Sequence, residues 1–356
     1  MDLSSIAVGG MTSFSEAATS FKGLFKTEAP DVTTSFMKKR ATTKECIPDH
    51  ILTIRTLSME FIELILASSD RMRDLVRSTG GDDSLKHKVL ASVFYEPSTR
   101  TSCSFQAAML RLGGTIVCVN GADSSVKKGE SLEDTVQTMQ CYCDIIALRH
   151  PDKGSAEAAS KVAYKPIINA GDGTGEHPTQ ALLDLYTIKS ELGRISGFKE
   201  GMEMTVTLLG DLKNGRTVHS LVLLLSKFQH VKLVFVAPEG LEMPAAIMEE
   251  LQAAGTQVAT STLDEAITTT DVLYVTRIQK ERFATEEEYT AVLGSYCVDA
   301  ALMDKARKDM IVMHPLPRLS EIAPEVDTDR RAAYFRQMEN GMYVRMAILS
   351  ALLVAS

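Results

Sequence analysis

Between residues 88 and 315, short apolar runs of strand length alternate with helical stretches, and this alternation restricts the fold more than any other feature. KVLASVFY (88–95), TIVCVN (115–120), DIIALR (144–149) and PIINAG (166–171) read as strands. Helical patterns fall at Ser104–Leu112, at 131–142 and over PTQALLDLYTIKSEL (178–192), where Pro178 suits a first helical turn. Upstream, Met59, Ile62, Ile65 and Leu66 recur at helical spacing. The pattern restarts after about residue 195. TVTLLGD (205–211), VKLVFVAP (231–238), DVLYVT (271–276) and MIVMHP (310–315) are strands, with helices at 215–228 and 243–254. A long apolar helix is expected from about residue 340. Strands alternating with helices imply parallel sheets covered on both faces. The expectation is an α/β chain with two α/β domains, each a mostly parallel sheet flanked by helices, joined by interdomain helices.

The chain has 356 residues, enough for two domains of ordinary size. Its net charge of −8 argues against binding nucleic acid through phosphate neutralisation. No apolar run approaches the roughly 18–20 residues of a membrane span. The six cysteines show no CxxC pair, and Cys141 and Cys143 form a lone CxC, so ordinary reduced thiols and no metal site are expected. Residues 1–49 are rich in Ser, Thr, Gly and Ala with a basic MKKR at 37–40, and read as a disordered leader or linker. A cytoplasmic location is expected. An organelle-targeting transit segment is the alternative, although Asp2, Glu16, Glu28 and Asp31 count against it.

Open α/β sheets bind ligands at the carboxyl ends of their strands. The segments there are EPSTRT, Arg149-His150-Pro151, GDGTGEHPTQ, LKNGRT, Arg277-Ile278-Gln279 and HPLPR. Five bring an arginine to or shortly past the strand end, and the sixth brings His177. Surface arginines would scatter along helices. This clustering points to a small, multiply anionic ligand. Ser98, Thr99 and Thr101 stand where a strand turns into a helix, whose first N–H groups lack partners and carry partial positive charge. Hydroxyls and Arg100 beside them make a phosphate cradle. The bland alternative is an N-cap hydroxyl and a solvated arginine. GDLKNGRT (210–217) differs from a nucleotide-binding GxxxxGK[ST] loop only by Arg216, but no second apolar strand ends in an aspartate suited to magnesium.

These residues resemble the aspartate/ornithine transcarbamoylase family over about 50–356. The motifs are STRT (98–101), KKGES (127–131), LRHP (148–151), NAGDGTGEHPTQALLD (169–184), GDLKNGRTVHSL (210–221), TRIQKERF (276–283), HPLPR (314–318) and AAYFRQ (332–337). The wording is closest to the branch found in multifunctional pyrimidine-synthesis polypeptides of animals and fungi. The resemblance implies transfer of the carbamoyl group of carbamoyl phosphate to L-aspartate, giving N-carbamoyl-L-aspartate and phosphate. The ornithine branch usually carries HCLP, where this chain has HPLP with Pro315. Residues 50–185 would bind carbamoyl phosphate, 195–335 aspartate, and 336–356 would be a helix packing back on the first domain.

By the same resemblance, Ser98, Thr99, Arg100 and Thr101 would hold the phosphate. Arg149 would reach the phosphate and the carbonyl oxygen. His177 would bond that oxygen, and Gln180 would orient the amide. Arg216, Arg277, Gln279 and the backbone at Leu316 would hold aspartate. Ser124 and Lys128 would serve the neighbouring subunit's site in a homotrimer, and other pyrimidine-pathway enzymes are candidate partners. No cofactor is implied. A non-catalytic scaffold of the same fold is the alternative of a different class. Asp172, Glu176, Ser320 and Glu321 read as turn, loop or helix-start residues, and Arg345 as structural. Arg330 departs from the family, which often has proline there.

Overall fold

The computed structural model describes residues 45–121, 125–193 and 203–354, so nearly all of the expected leader and Ser124 lie outside the described residues. From Cys46 onward the chain forms one compact unit with two parallel sheets, the α/β architecture that the alternation predicts. The first sheet contains β1 (Val89–Phe94), β2 (Thr115–Asn120), β3 (Ile145–His150) and β4 (Ile167–Asp172), in the order β2-β1-β3-β4. The second contains β5 (Met204–Leu209), β6 (Val231–Val236), β7 (Gln257–Thr260), β8 (Val272–Val275) and β9 (Ile311–Met313), in the order β7-β6-β5-β8-β9. Every neighbouring pair is parallel.

The described helices of the first half are α1 (Met59–Thr79), α2 (Thr99–Arg111), α3 (Leu132–Met139), α4 (Ser155–Val162) and α5 (Pro178–Leu192). Those of the second are α6 (Arg216–Leu225), α7 (Ala245–Ala253), α8 (Leu263–Ala266), α9 (Glu286–Val292), α10 (Ala300–Lys305) and α11 (Tyr334–Val354). Local chemistry sets the boundaries. The Ser58 hydroxyl accepts the Phe61 N–H at 3.1 Å to open α1, and Gly80 closes it in the left-handed conformation. Pro178 opens α5 at its first turn. No helix among the described residues is long and apolar enough to cross a membrane.

Packing follows from the strand sequences. Ile145, Ile146, Ala147 and Leu148 of β3 are buried in succession, as a central strand covered on both faces requires. β2, at the edge, is largely exposed. One apolar core runs beneath both sheets. It joins Phe61 and Ile65 of α1, Phe105 of α2, Leu182 and Tyr186 of α5, Leu221 of α6 and Ile348 of α11. Helix α5 is buried on every side from Pro178 to Ile188 and packs against both α6 and α11, which makes it the spine between the sheets.

The strand orders place the site. From β1 the chain goes to β2 on one side, while β3 lies on the other. From β5 it goes to β6 and β7 on one side, while β8 and β9 lie on the other. Loops diverge at such switch points and leave a crevice at the carboxyl ends of the strands. These crevices lie at the carboxyl ends of β1 and β3, where STRT follows β1 and Arg149 is the penultimate residue of β3, and after β5 and β8, where Arg216 and Arg277 stand.

Candidate active site

Both crevices open into one cleft of about 1020 Å³. The first sheet lines it with Ser98, Thr99, Arg100, Thr101 and Arg149, and the loop and start of α5 add His177 and Gln180. The second sheet contributes Arg216, Arg277, Gln279 and Leu316. Eleven of the thirteen site residues expected from sequence therefore meet. Lys128 is exposed and does not line this cleft. Ser124 lies outside the described residues.

Ser98 is the N-cap of α2 with extended backbone, yet its side chain makes no capping bond. The bland capping reading therefore fails there, and the hydroxyl stands at the helix start free for an anion. Arg149 and Arg216 approach from opposite sheets. Arg149 Nη1 donates to the Ala170 carbonyl at 3.2 Å and Arg216 Nη1 to the Gly173 carbonyl at 2.6 Å. Both Nη2 atoms lie 3.3 Å from Glu96 Oε2. Burial, then the neighbouring Arg216, pushes Arg149 down to about 10, so it is still charged at neutral pH. Its Nε is buried without a partner. Two nearly buried guanidiniums share one carboxylate, an excess of positive charge that suits an anionic ligand.

Gly171 permits this approach. Its φ is +116°, and an added Cβ would lie 2.8 Å from Arg149 Nη1 and 3.2 Å from Arg216 Cζ. Gly171→Ala is expected to displace both arginines, weaken phosphate binding at least tenfold and strain the backbone by about 1–3 kcal/mol. Phosphate titration by calorimetry checks this, and unchanged affinity would refute the close-approach account.

His177 is 3% exposed, at the N-cap of α5, and its side chain makes no capping bond. Its Nε2 lies 3.4 Å from Thr101 Oγ1 and its Nδ1 3.5 Å from Thr179 Oγ1. Arg345 donates to Thr179 Oγ1 at 3.4 Å. Burial, then Arg149, Arg216 and Arg345, holds His177 well below its ordinary range, so the ring is neutral. A neutral ring that turns Nε2 toward Thr101 beside two arginines can, as its Nε2–H tautomer, donate to an oxygen that gains negative charge.

The far wall is pinned by acids that the sequence reading passed over. Glu321, expected to be an ordinary loop residue, is buried and accepts His314 Nε2–H at 2.8 Å, and His314 Nδ1 accepts the Leu316 N–H at 2.7 Å. Leu316, at φ +54°, is thus held with its backbone at the cleft. Asp211 accepts the Asn214 N–H at 2.9 Å and shapes the loop that delivers Arg216. Arg277 is ion-paired with Glu281. Glu176 is more than a helix-start residue: it accepts the Thr53 hydroxyl and the Ile54 N–H and pairs with Arg55. Arg345, read as structural, is 3% exposed and lines the cleft. Glu96 had a signal in its place two residues past β1. Among the described residues, no group of three or more His, Cys, Asp or Glu side chains could hold a metal ion.

Comparison with known proteins agrees with this architecture. The aspartate/ornithine carbamoyltransferase carbamoyl-P binding domain model matches residues 49–190, and the Asp/Orn binding domain model of the same family matches 202–352. The chain belongs to the aspartate/ornithine carbamoyltransferase family. It is 54% identical over 302 residues to the multifunctional protein pyr1-3 of Dictyostelium discoideum, covering 85% of this chain but 13% of that one. The chain thus spans about an eighth of the length of such multifunctional relatives. It is 50% identical to the aspartate carbamoyltransferase catalytic subunit of Thermococcus kodakarensis, covering 84% of this chain and 95% of that one. The solved structure of aspartate transcarbamoylase from Trypanosoma cruzi with carbamoyl aspartate and phosphate superposes with a TM-score of 0.79 at 42% identity, covering 87% of this chain and 97% of that one.

Proposed function

We propose that this chain transfers the carbamoyl group of carbamoyl phosphate to L-aspartate, giving N-carbamoyl-L-aspartate and phosphate, a step of pyrimidine biosynthesis. The observation that carries the reading is the convergence of Arg100, Arg149, Arg216 and Arg277 with a neutral His177 at the switch points of two sheets in one cleft. The family relationship adds to it. Ser98, Thr99, Arg100 and Thr101 hold the phosphate. The neutral aspartate amine attacks the carbonyl carbon, a C–N bond forms, and the C–O bond to phosphate breaks. Charge gathers on the carbonyl oxygen, where Arg149, His177 and Thr101 stabilise it. The leaving phosphate accepts the amine proton. Arg216, Arg277, Gln279 and the Leu316 backbone hold the aspartate carboxylates. Catalysis rests on positioning and electrostatics.

In this reading residues 50–185 bind carbamoyl phosphate, 195–335 bind aspartate, and 336–356 pack back on the first part. The packing of α11 against α1 and α2 supports the last point. Lys128, exposed and away from its own cleft, supports a homotrimer in which Ser124 and Lys128 complete the neighbour's site. The reading places the chain in the cytoplasm, with other pyrimidine-pathway enzymes as candidate partners. The test is carbamoyl transfer with L-aspartate and L-ornithine side by side. Turnover with aspartate alone is expected, because arginines line the acceptor side where ornithine's ammonium would require carboxylates. Turnover with ornithine alone would overturn the acceptor assignment.

A further inference from the structure

Asp184 is fully buried on α5, one turn beyond Gln180, and the mechanism above leaves it unused. Its Oδ1 lies 2.9 Å from Gln180 Nε2 and 2.7 Å from Gln337 Nε2, and its Oδ2 lies 2.8 Å from the Tyr274 hydroxyl. The three donors come from α5, α11 and β8, so one carboxylate joins segments from both sides of the cleft.

The amide orientations follow from what each group can do. The His314 backbone N–H only donates and lies 2.9 Å from Gln337 Oε1, so Gln337 turns its Nε2 to Asp184. Oδ1 of Asp184 is therefore an acceptor. It stays one even when the acid is protonated, because the proton then sits on Oδ2 and faces the Tyr274 hydroxyl. Gln180 must present Nε2 to that same oxygen. Its Oε1 is the end left for the cleft that Gln180 lines.

We propose that Asp184 is a positioning residue that locks the Gln180 amide with its oxygen toward the bound carbamoyl group, so that the site selects the amino end of carbamoyl phosphate. The inference rests on the carbamoyl-transfer reading. A fixed acceptor fits an NH2 group and leaves a methyl group in its place with an unanswered polar atom. An unlocked amide can turn and set its own NH2 against the ligand's.

Acetyl phosphate carries a methyl where carbamoyl phosphate carries the amine, so it isolates this contact. Dissociation constants of both ligands are measured by calorimetry on the full chain, for the wild type, Asp184→Leu and Asp184→Asn. Wild type is expected to prefer carbamoyl phosphate. Asp184→Leu is expected to lose at least about tenfold of that preference while its affinity for acetyl phosphate stays within about threefold. Asp184→Asn is expected to keep the preference, because its Oδ1 still accepts both glutamines while Nδ2 donates to Tyr274. A merely structural role would weaken both ligands together. Equal weakening, or full preference retained in Asp184→Leu, overturns the proposal. If Asp184→Leu does not fold, Asp184→Ala, which adds no bulk, is read in the same ratio. A wild-type chain that shows no turnover with carbamoyl phosphate would overturn the transfer reading itself, and this proposal with it.

Discussion

Arg100→Ala is expected to lower kcat by about 10²–10³-fold, or about 3–4 kcal/mol of transition-state stabilisation, the usual effect of removing one preorganised donor. Arg100 lies in the first turn of α2, where the helix start already favours an anion, and it lines the cleft. The preorganisation comes from the strand-to-helix turn, so a guanidinium free in solution should restore little. Unchanged steady-state kinetics would remove Arg100 from the phosphate site. The same variant tests the shared-site reading. On that reading Lys128→Ala is inactive for a different reason, since its lysine would serve the neighbour. A working site then needs Arg100 of one subunit and Lys128 of the next. Random exchange of equal amounts of the two variants leaves about one site in four intact, so about a quarter of wild-type activity should return. No recovery, with exchange verified by mass, would mean that each subunit completes its own site.

Acid should destabilise the chain well above the carboxylate range. His177, His219 and His314 are all nearly inaccessible, and burial is the first cause that lowers each of them below 6.5. Unfolding exposes them, and below pH 6.5 the unfolded chain takes up protons that the folded chain refuses. Stability therefore falls as pH drops from 6.5 toward each folded value. Asp184 acts in the opposite direction: burial raises it to about 7, so the folded chain binds its proton first and gains stability as pH falls below that point. The three rings outnumber the one acid, so the net change over this window is a loss of stability as pH falls. Urea midpoints at pH 7.5 and 5.5 check the slope. A flat or rising profile would show that these rings are protonated in the folded chain.

Much of the scaffold was legible because local pattern determined it. TIVCVN at 115–120 and the helix at 178–192 match the structure end to end, the one preceded by a turn at Leu112 and Gly113 and the other bounded by Pro178 and Gly193. The last helix starts at Tyr334 instead of about 340, because its first turns bury Gln337 and Asn340, polar side chains that broke the apolar pattern. β7 escaped notice because QVAT is four residues long and sits at a sheet edge with little to bury. Helices α4, α9 and α10 are short, and their patterns were equally weak. The site divided in the same way. Arginines and hydroxyls at strand ends could be read, since strand ends are local. Residues whose meaning depends on distant partners could not. Glu96 meets Arg216 across 120 positions, and Asp184 meets Gln337 across 153. Cations at strand ends show in sequence by what they can bind, whereas the acids matter only through the distant binders they hold in place.

The two crevices belong to separate sheets, and this has a consequence for how such a protein can diversify. Residues 98–101 and 149 hang from the first sheet, while 216, 277 and 279 hang from the second. A substitution that reshapes one half leaves the hydrogen-bond ladder under the other untouched. Each sheet can therefore vary its own strand-end side chains, while Glu96 and Asp184, which bridge the two halves, are the shared constraints on any such change.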